Sequence, residues 1–263
     1  MSINFELFDQ YLCLVRCDPG GSAYSVNAKE LLQPEAMETF LEAFRLQIKG
    51  TDVQVAGTYF AAWWRGVCVA LQYMISLTDR MLDLSLDNIK LHLAFRDKYP
   101  KIVFRLAGPE ELPWPAGSHE EKRAAVLEHF YAGQLRPLFQ TLAASTGLSL
   151  GQLWGQLPLG IEYYMKLIEG MLESEGDKLR LREDHRFLAE SLDPALFGLK
   201  RNPFTYKKVM IDDPREPGKQ LVMKPTCCLA YRTDTGYGCC ITCPKLTEEQ
   251  RAQKFADMAK PST

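Results

Sequence analysis

The stretch from Tyr59 to Leu77, YFAAWWRGVCVALQYMISL, is apolar on nearly every side, so any fold of this chain must enclose it. A helix without a polar face belongs either at the centre of a helical core or in a bilayer. Arg65 and Gln72 interrupt this one. Charged and amide side chains are costly in a membrane span, so the stretch reads as a buried helix over 58–77. A neighbour is predicted over 34–48, where Met37, Phe40, Leu41, Phe44 and Ile48 recur at helical spacing. With 263 residues and 46% apolar content, the chain has ample material to bury such a core.

The period then changes. LDLSLDNIKLHLAFRDKYPKIVFRL alternates apolar and polar residues, which predicts a small antiparallel sheet of three short strands, with turns at LDNI and RDKYPK. After the connector GPEELPWPAGS a long helix is expected over 119–145. Another follows over 150–172, with Ser149 or Thr146 as its cap and Pro158 splitting it, and a shorter one spans 179–192. Beyond Pro203 helical periodicity is lost, and VMIDDPREPGKQLVMKP reads as a hairpin. Thr247 with Gln250 three residues on is a capping-box signature for a terminal helix. The fold class is therefore α+β: a helix-rich body with a small antiparallel sheet over 1–200, shaping a substrate cleft, and a cysteine-rich segment over 201–263.

Five of the eight cysteines lie in that segment, at Cys227, Cys228, Cys239, Cys240 and Cys243. The N-terminus opens with acidic residues and has no basic region followed by an apolar run, so no signal peptide is expected and the predicted location is cytoplasmic. In the cytosol, clustered thiols point to metal or redox chemistry rather than to disulfides. Four thiolates can hold a zinc ion or an iron–sulfur cluster. Cys240 and Cys243 form a CxxC half-site, followed by Pro244. Cys227 and Cys228 are adjacent, and neighbouring side chains on an extended chain point to opposite faces, so they cannot grip one small ion without distortion. A dinuclear cluster is wider and accommodates adjacent cysteines more easily. By spacing alone, both zinc and iron–sulfur remain open.

The run Cys227-Cys228, Tyr231-Arg232 and Cys240-Ile241-Thr242-Cys243-Pro244 resembles the C-terminal signature of the FhuF family of ferric-siderophore reductases. The similarity is specific over about twenty residues and looser upstream, where length, motif position and the stretch LWGQLPLGIEYYMKLI are alike in kind. The resemblance implies a 2Fe–2S cluster held by Cys227, Cys228, Cys240 and Cys243. It further implies an oxidoreductase that passes one electron to a ferric siderophore, of hydroxamate type, and releases ferrous iron. The chain departs from the family in one respect: eleven residues, not ten, separate Cys228 from Cys240, and Cys239 occupies the position that would restore ten. Keeping the CxxCP element intact favours Cys240, because a loop with Gly236 and Gly238 absorbs one residue cheaply. Arg232 is expected either to donate toward cluster sulfur or to be a solvated loop residue.

The other candidates read as structural. Cys13 and Cys17 are expected to be buried thiols, Cys68 a core residue, and His92, His119, His129 and His185 ordinary histidines without a ligand motif. Trp63, Trp64, Tyr163 and Tyr164 suit packing better than a ligand cleft, and Glu110-Glu111 a solvated turn. The excess of base over 200–245 fits a solvated face, or a surface for an acidic donor or an anionic siderophore. With a net charge of -2 no nucleic-acid partner is expected. No GxGxxG, GxxxxGK[ST] or GxSxG occurs, so electrons would come from a ferredoxin-like protein or a diffusible reductant. The rival readings are a zinc–thiolate structural module and an iron–sulfur sensor.

Overall fold

A computed structural model describes residues 2–96, 99–108, 111–216, 218–236 and 238–258. The Asp97-Lys98 part of the expected RDKYPK turn, and Pro109 and Glu110 of the connector, lie outside the described residues. The chain is α+β, mainly helical, with a small mixed sheet. Among the described residues no helix is long and apolar enough to cross a membrane.

The apolar stretch is at the centre, as two helices rather than one. α1 is a single turn at Phe5–Leu7, α2 runs Pro34–Gln47, α3 Val53–Trp63 and α4 Arg65–Leu77. Asp52 starts α3, its carboxylate accepting from the backbone N–H groups of Gln54 and Val55, which places the start five residues before the expected Thr58. α3 ends at Trp64, whose indole is fully buried against Phe60 and Phe104. Every residue of α4 from Gly66 to Leu77 is buried, Gln72 included. Gly66 is required there: a Cβ would stand 2.3 Å from the carbonyl oxygen of Leu12.

The sheet differs from the expected three antiparallel strands. Its order is β1 (Leu14–Val15), β5 (Tyr99–Leu106), β4 (Ile89–Arg96), β2 (Tyr24–Asn27), and β1 pairs parallel to β5. The two outer strands come from the N-terminus, too short to show alternation, and their pairing is long-range. Leu82 to Leu86 do not form a strand of this sheet; β3 (Arg80–Leu82) instead pairs with β6 (Glu111–Pro113).

α5 (His119–Glu128) and α6 (Arg136–Thr146) are separated by a π-helical stretch, His129–Leu135, with Pro137 in the first turn of α6. α7 (Leu150–Trp154) is capped by Ser149, and Pro158 opens α8 (Pro158–Met171), as expected from the sequence. α9 (Glu175–Glu190) follows. The hairpin β7 (Met210–Asp212) and β8 (Gln220–Val222) leads into the cysteine segment, and α10 (Glu248–Met258) closes the description. Thr247 and Gln250 make the reciprocal capping bonds at 3.2 and 3.0 Å.

Candidate functional site

Between β8 and α10 the described residues form no strand and one turn of 3-10 helix, Ala230–Arg232, so the shape of the cysteine loop depends on what it is tied to. Four sets of contacts fix it. Thr58, fully buried in α3, places its hydroxyl 2.7 Å from the carbonyl oxygen of Cys228. Gln156, just past α7, donates to Thr226 Oγ1 at 2.7 Å and to the carbonyl oxygen of Cys227 at 3.2 Å, with Gln152 adding a longer contact to the same oxygen. At the far end of the loop, the Thr51 N–H donates to Arg232 O, the Asp234 N–H to Lys49 O, and Gly50 bridges Thr233. From α10, Arg251 donates to Cys243 O at 3.0 Å, to Leu246 O, and to Ile241 O. The approach of α7 is tight because residue 155 is glycine: a Cβ would lie 2.4 Å from Thr226 Cγ2.

Within this frame the expected ligands fall into two couples. Cys227 Sγ lies 3.5 Å from Cys243 Sγ, and the thiols of Cys228 and Cys240 are near enough for each to shift the other's pKa. Each couple joins one of the adjacent cysteines to one end of the CxxC, so the neighbours diverge as the sequence predicts. The CxxC closes through Cys243 N–H to Cys240 O at 2.9 Å, and Lys224 N–H to Thr242 O ties the half-sites together at 2.9 Å. Cys239 leans toward Cys243 rather than Cys228. Among the described residues, no group of three or more His, Cys, Asp or Glu side chains is placed to hold a metal ion.

Donors surround the sulfurs. Lys224 Nζ is 3.4 Å from Cys228 Sγ, and the N–H of Leu229 is 3.4 Å from Cys227 Sγ. Leu229 itself adopts φ 58°, a left-handed conformation costing a leucine about 1–2 kcal/mol. Cys240 is held well below the ordinary thiol range by its bond from Cys228, with help from Thr242 and Lys224 and against burial. Its partner Cys228 is pushed up by that same bond and by burial. For Lys224 burial works to lower the pKa, but the sulfurs of Cys228 and Cys240 outweigh it and the net shift is upward. A lysine between two sulfurs favours their thiolate forms, as ligands require.

Arg232 does not face a sulfur. It donates to Gln54 Oε1 at 2.7 Å and pairs with Asp52, fastening the loop to the start of α3. Lys245 reaches the Tyr231 hydroxyl at 3.0 Å and lies over its ring. Several other basic residues of the segment are also engaged: Lys208 with Glu162, Arg215 with Asp213, and Lys219 with Glu216. Two cavities flank the adjacent cysteines. One of about 590 Å³ is lined by Cys227 with Gln54, Ser149, Gln152, Arg232 and Lys245. The other, about 190 Å³, is lined by Cys228 with Arg65, Gln156 and Lys224.

The remaining candidates are dispersed. Cys13 and Cys68 are buried as expected, Cys68 with its thiol pushed up to about 12 by burial, but Cys17 is exposed, because it sits just past the two-residue strand β1. Trp64 is in the core, and Trp63 and Tyr164 pack against that core as expected, Tyr164 also lying beside Arg65; Tyr163 is exposed. His92 bonds Ser22, His119 bonds the buried Asp184, and His129 is exposed. Sequence reasoning missed Thr58, Lys224, Leu229, Gln152, Gln156 and Arg251. A signal existed for the glutamines, which stand in the repeated triplet Gly151-Gln152-Leu153, Gly155-Gln156-Leu157. Comparison with known proteins finds no family model and no curated protein that matches the chain.

Proposed function

We propose that the chain is a one-electron reductase of ferric siderophores, of hydroxamate type, acting in the cytosol and releasing ferrous iron. One observation carries the reading: the CC and CxxC half-sites interleave as two thiol couples, Cys227 with Cys243 and Cys228 with Cys240. A Cys₄ 2Fe–2S cluster takes two thiolates at each iron, and a donor set divided in this way fits it. A single zinc ion requires all four around one point. When bound, such a cluster supplies a one-electron couple.

The protein's own groups have defined parts in this scheme. Cys227, Cys228, Cys240 and Cys243 would hold the cluster. Lys224 and the Leu229 N–H donate toward sulfur, and donors of this kind favour the more negative, reduced state and raise a potential. Thr58, Gln156 and Arg251 hold the main chain so that the sulfurs keep their places. The electron would come from a separate donor, a ferredoxin-like protein or a diffusible reductant. Ferrous iron binds hard oxygen donors less tightly than ferric iron and exchanges them faster, so one electron is enough to loosen the chelate.

Oxygen-free protein should be red-brown, contain iron and acid-labile sulfide, and become paramagnetic on one-electron reduction. Mixing the dithionite-reduced protein with a ferric trihydroxamate and a ferrous trap should bleach the chelate's charge-transfer band. A colourless protein with zinc on its thiolates would instead make the segment a structural staple. A red-brown protein whose reduced form persists through a panel of siderophores would make it a sensor.

A further inference from the structure

The two cavities beside the adjacent cysteines differ in what they can admit. The one on the Cys228 side, at about 190 Å³, is smaller than sites that enclose drug-sized ligands, which run from roughly 300 to 1,000 Å³. The one on the Cys227 side, at about 590 Å³, lies within that range, and Cys227 forms part of its wall. Its polar lining includes the amides of Gln54 and Gln152, the hydroxyls of Ser149 and Thr226, and the cations Arg232 and Lys245, with no carboxylate among its described lining residues. Amide N–H, hydroxyl and ammonium groups all donate hydrogen bonds, which suits a ligand rich in oxygen acceptors.

One of the two cations in that wall has no carboxylate beside it. Arg232 is neutralised by Asp52, and Gln54 is already committed to Arg232. Lys245 is exposed and, among the described residues, pairs with no carboxylate; it bonds the neutral hydroxyl of Tyr231 and otherwise feels only the sulfurs of Cys227 and Cys243. Tyr231 holds the ammonium in place by a 3.0 Å hydrogen bond and by its ring, 5.3 Å away.

We infer that the cavity walled by Cys227, Gln152 and Lys245 is the docking site of the ferric chelate, and that Lys245 makes it select neutral or anionic chelates over cationic ones. The inference rests on the reductase reading for the identity of the ligand, but its test needs no electron transfer. Gallium(III) replaces ferric iron in hydroxamate chelates and is not reduced. The probe is the gallium complex of a linear trihydroxamate in two forms: cationic with its terminal amine free, and neutral with that amine acetylated. Binding to the full chain is followed by calorimetry.

The neutral form should bind the parent protein about fivefold more tightly than the cationic one, the size of effect expected of one exposed charge. Lys245→Glu, at an exposed position, should invert that order. Gln152→Trp should fill the cavity and abolish binding of both forms; the Cys227 carbonyl keeps its other donor, Gln156. Binding of both forms unchanged in Lys245→Glu and Gln152→Trp would overturn the assignment, as would no binding of either form to the parent. Selective gallium-chelate binding by a protein lacking iron and sulfide would uphold the site and remove the reductase reading instead. A red-brown protein that binds neither form would do the reverse.

Discussion

The hydroxyl of Thr58 stands 2.7 Å from the carbonyl oxygen of Cys228, across 170 residues of sequence, and so ties α3 to the cysteine segment. Valine at this position keeps the shape and loses the donor, which leaves a carbonyl without its partner. Thr58→Val should destabilise the protein by about 1–3 kcal/mol, whereas Thr58→Ser, which keeps the hydroxyl, should lose less. Urea titration of the two variants side by side checks this; equal losses would show that the hydroxyl contributes nothing.

Gly155 has helical φ and ψ of -65° and -6°, so alanine there costs nothing in backbone conformation. The cost is steric, since the new Cβ would meet Thr226 at 2.4 Å. Gly155→Ala should therefore cost about 1–3 kcal/mol, the range for overpacking a tight contact, and shift the residue that precedes Cys227. Thermal melts give the loss, and the rate of thiol alkylation in metal-free protein should rise at Cys227, which is buried in the parent.

The placement of Cys240 against Cys228, with Cys239 leaning toward Cys243, predicts which thiol a cluster needs. Cys240→Ser should abolish iron and sulfide binding, and Cys239→Ser should leave both near the parent's content. Assay of iron and acid-labile sulfide per chain in oxygen-free preparations decides it. Loss confined to Cys239→Ser would move the ligand by one residue.

His92 lies on the central strand β4, 2% exposed, with Nδ1 2.9 Å from Ser22 Oγ. Burial depresses its pKa, assisted by Lys90 and Arg105 and opposed by Asp18. The folded value thus lies below the unfolded one of about 6.5. On acidification the unfolded chain takes up the proton first, so the stability held above about pH 6.5 is lost below it. Denaturation midpoints from about pH 7.5 to about pH 5 should fall with a contribution of up to about 1.4 kcal/mol per pH unit, and His92→Gln should flatten that part of the curve.

What could be read from the sequence follows the range of each interaction. The Thr247–Gln250 capping box, the Ser149 cap and the break at Pro158 depend on residues within a few positions of one another, and the structure shows all of them. That Cys227 and Cys228 have different sulfur neighbours accords with the alternation of side chains along a chain. By contrast, β1 is two residues long and finds its partner in β5, near Phe104, so no local alternation announces it. Arg232 was ambiguous for the same reason: its carboxylate partner, Asp52, lies in the first quarter of the chain and nothing around the arginine identifies it. In the sequence Lys224 is one charge among those of 200–245, and what separates it from its neighbours is the fold of the loop around Cys228.

A segment fastened by a handful of clips, rather than by a sheet or a core of its own, can be prised open without melting the body beneath it. Parts of a protein held by few contacts open at a free energy well below that of global unfolding. Release of the Arg251 clip from the carbonyls of Ile241 and Cys243 would free the CxxC turn while Thr58 and Gln156 still grip the other half. Loading or stripping of the proposed cluster would then be a matter of one turn swinging aside, with the helical scaffold left intact.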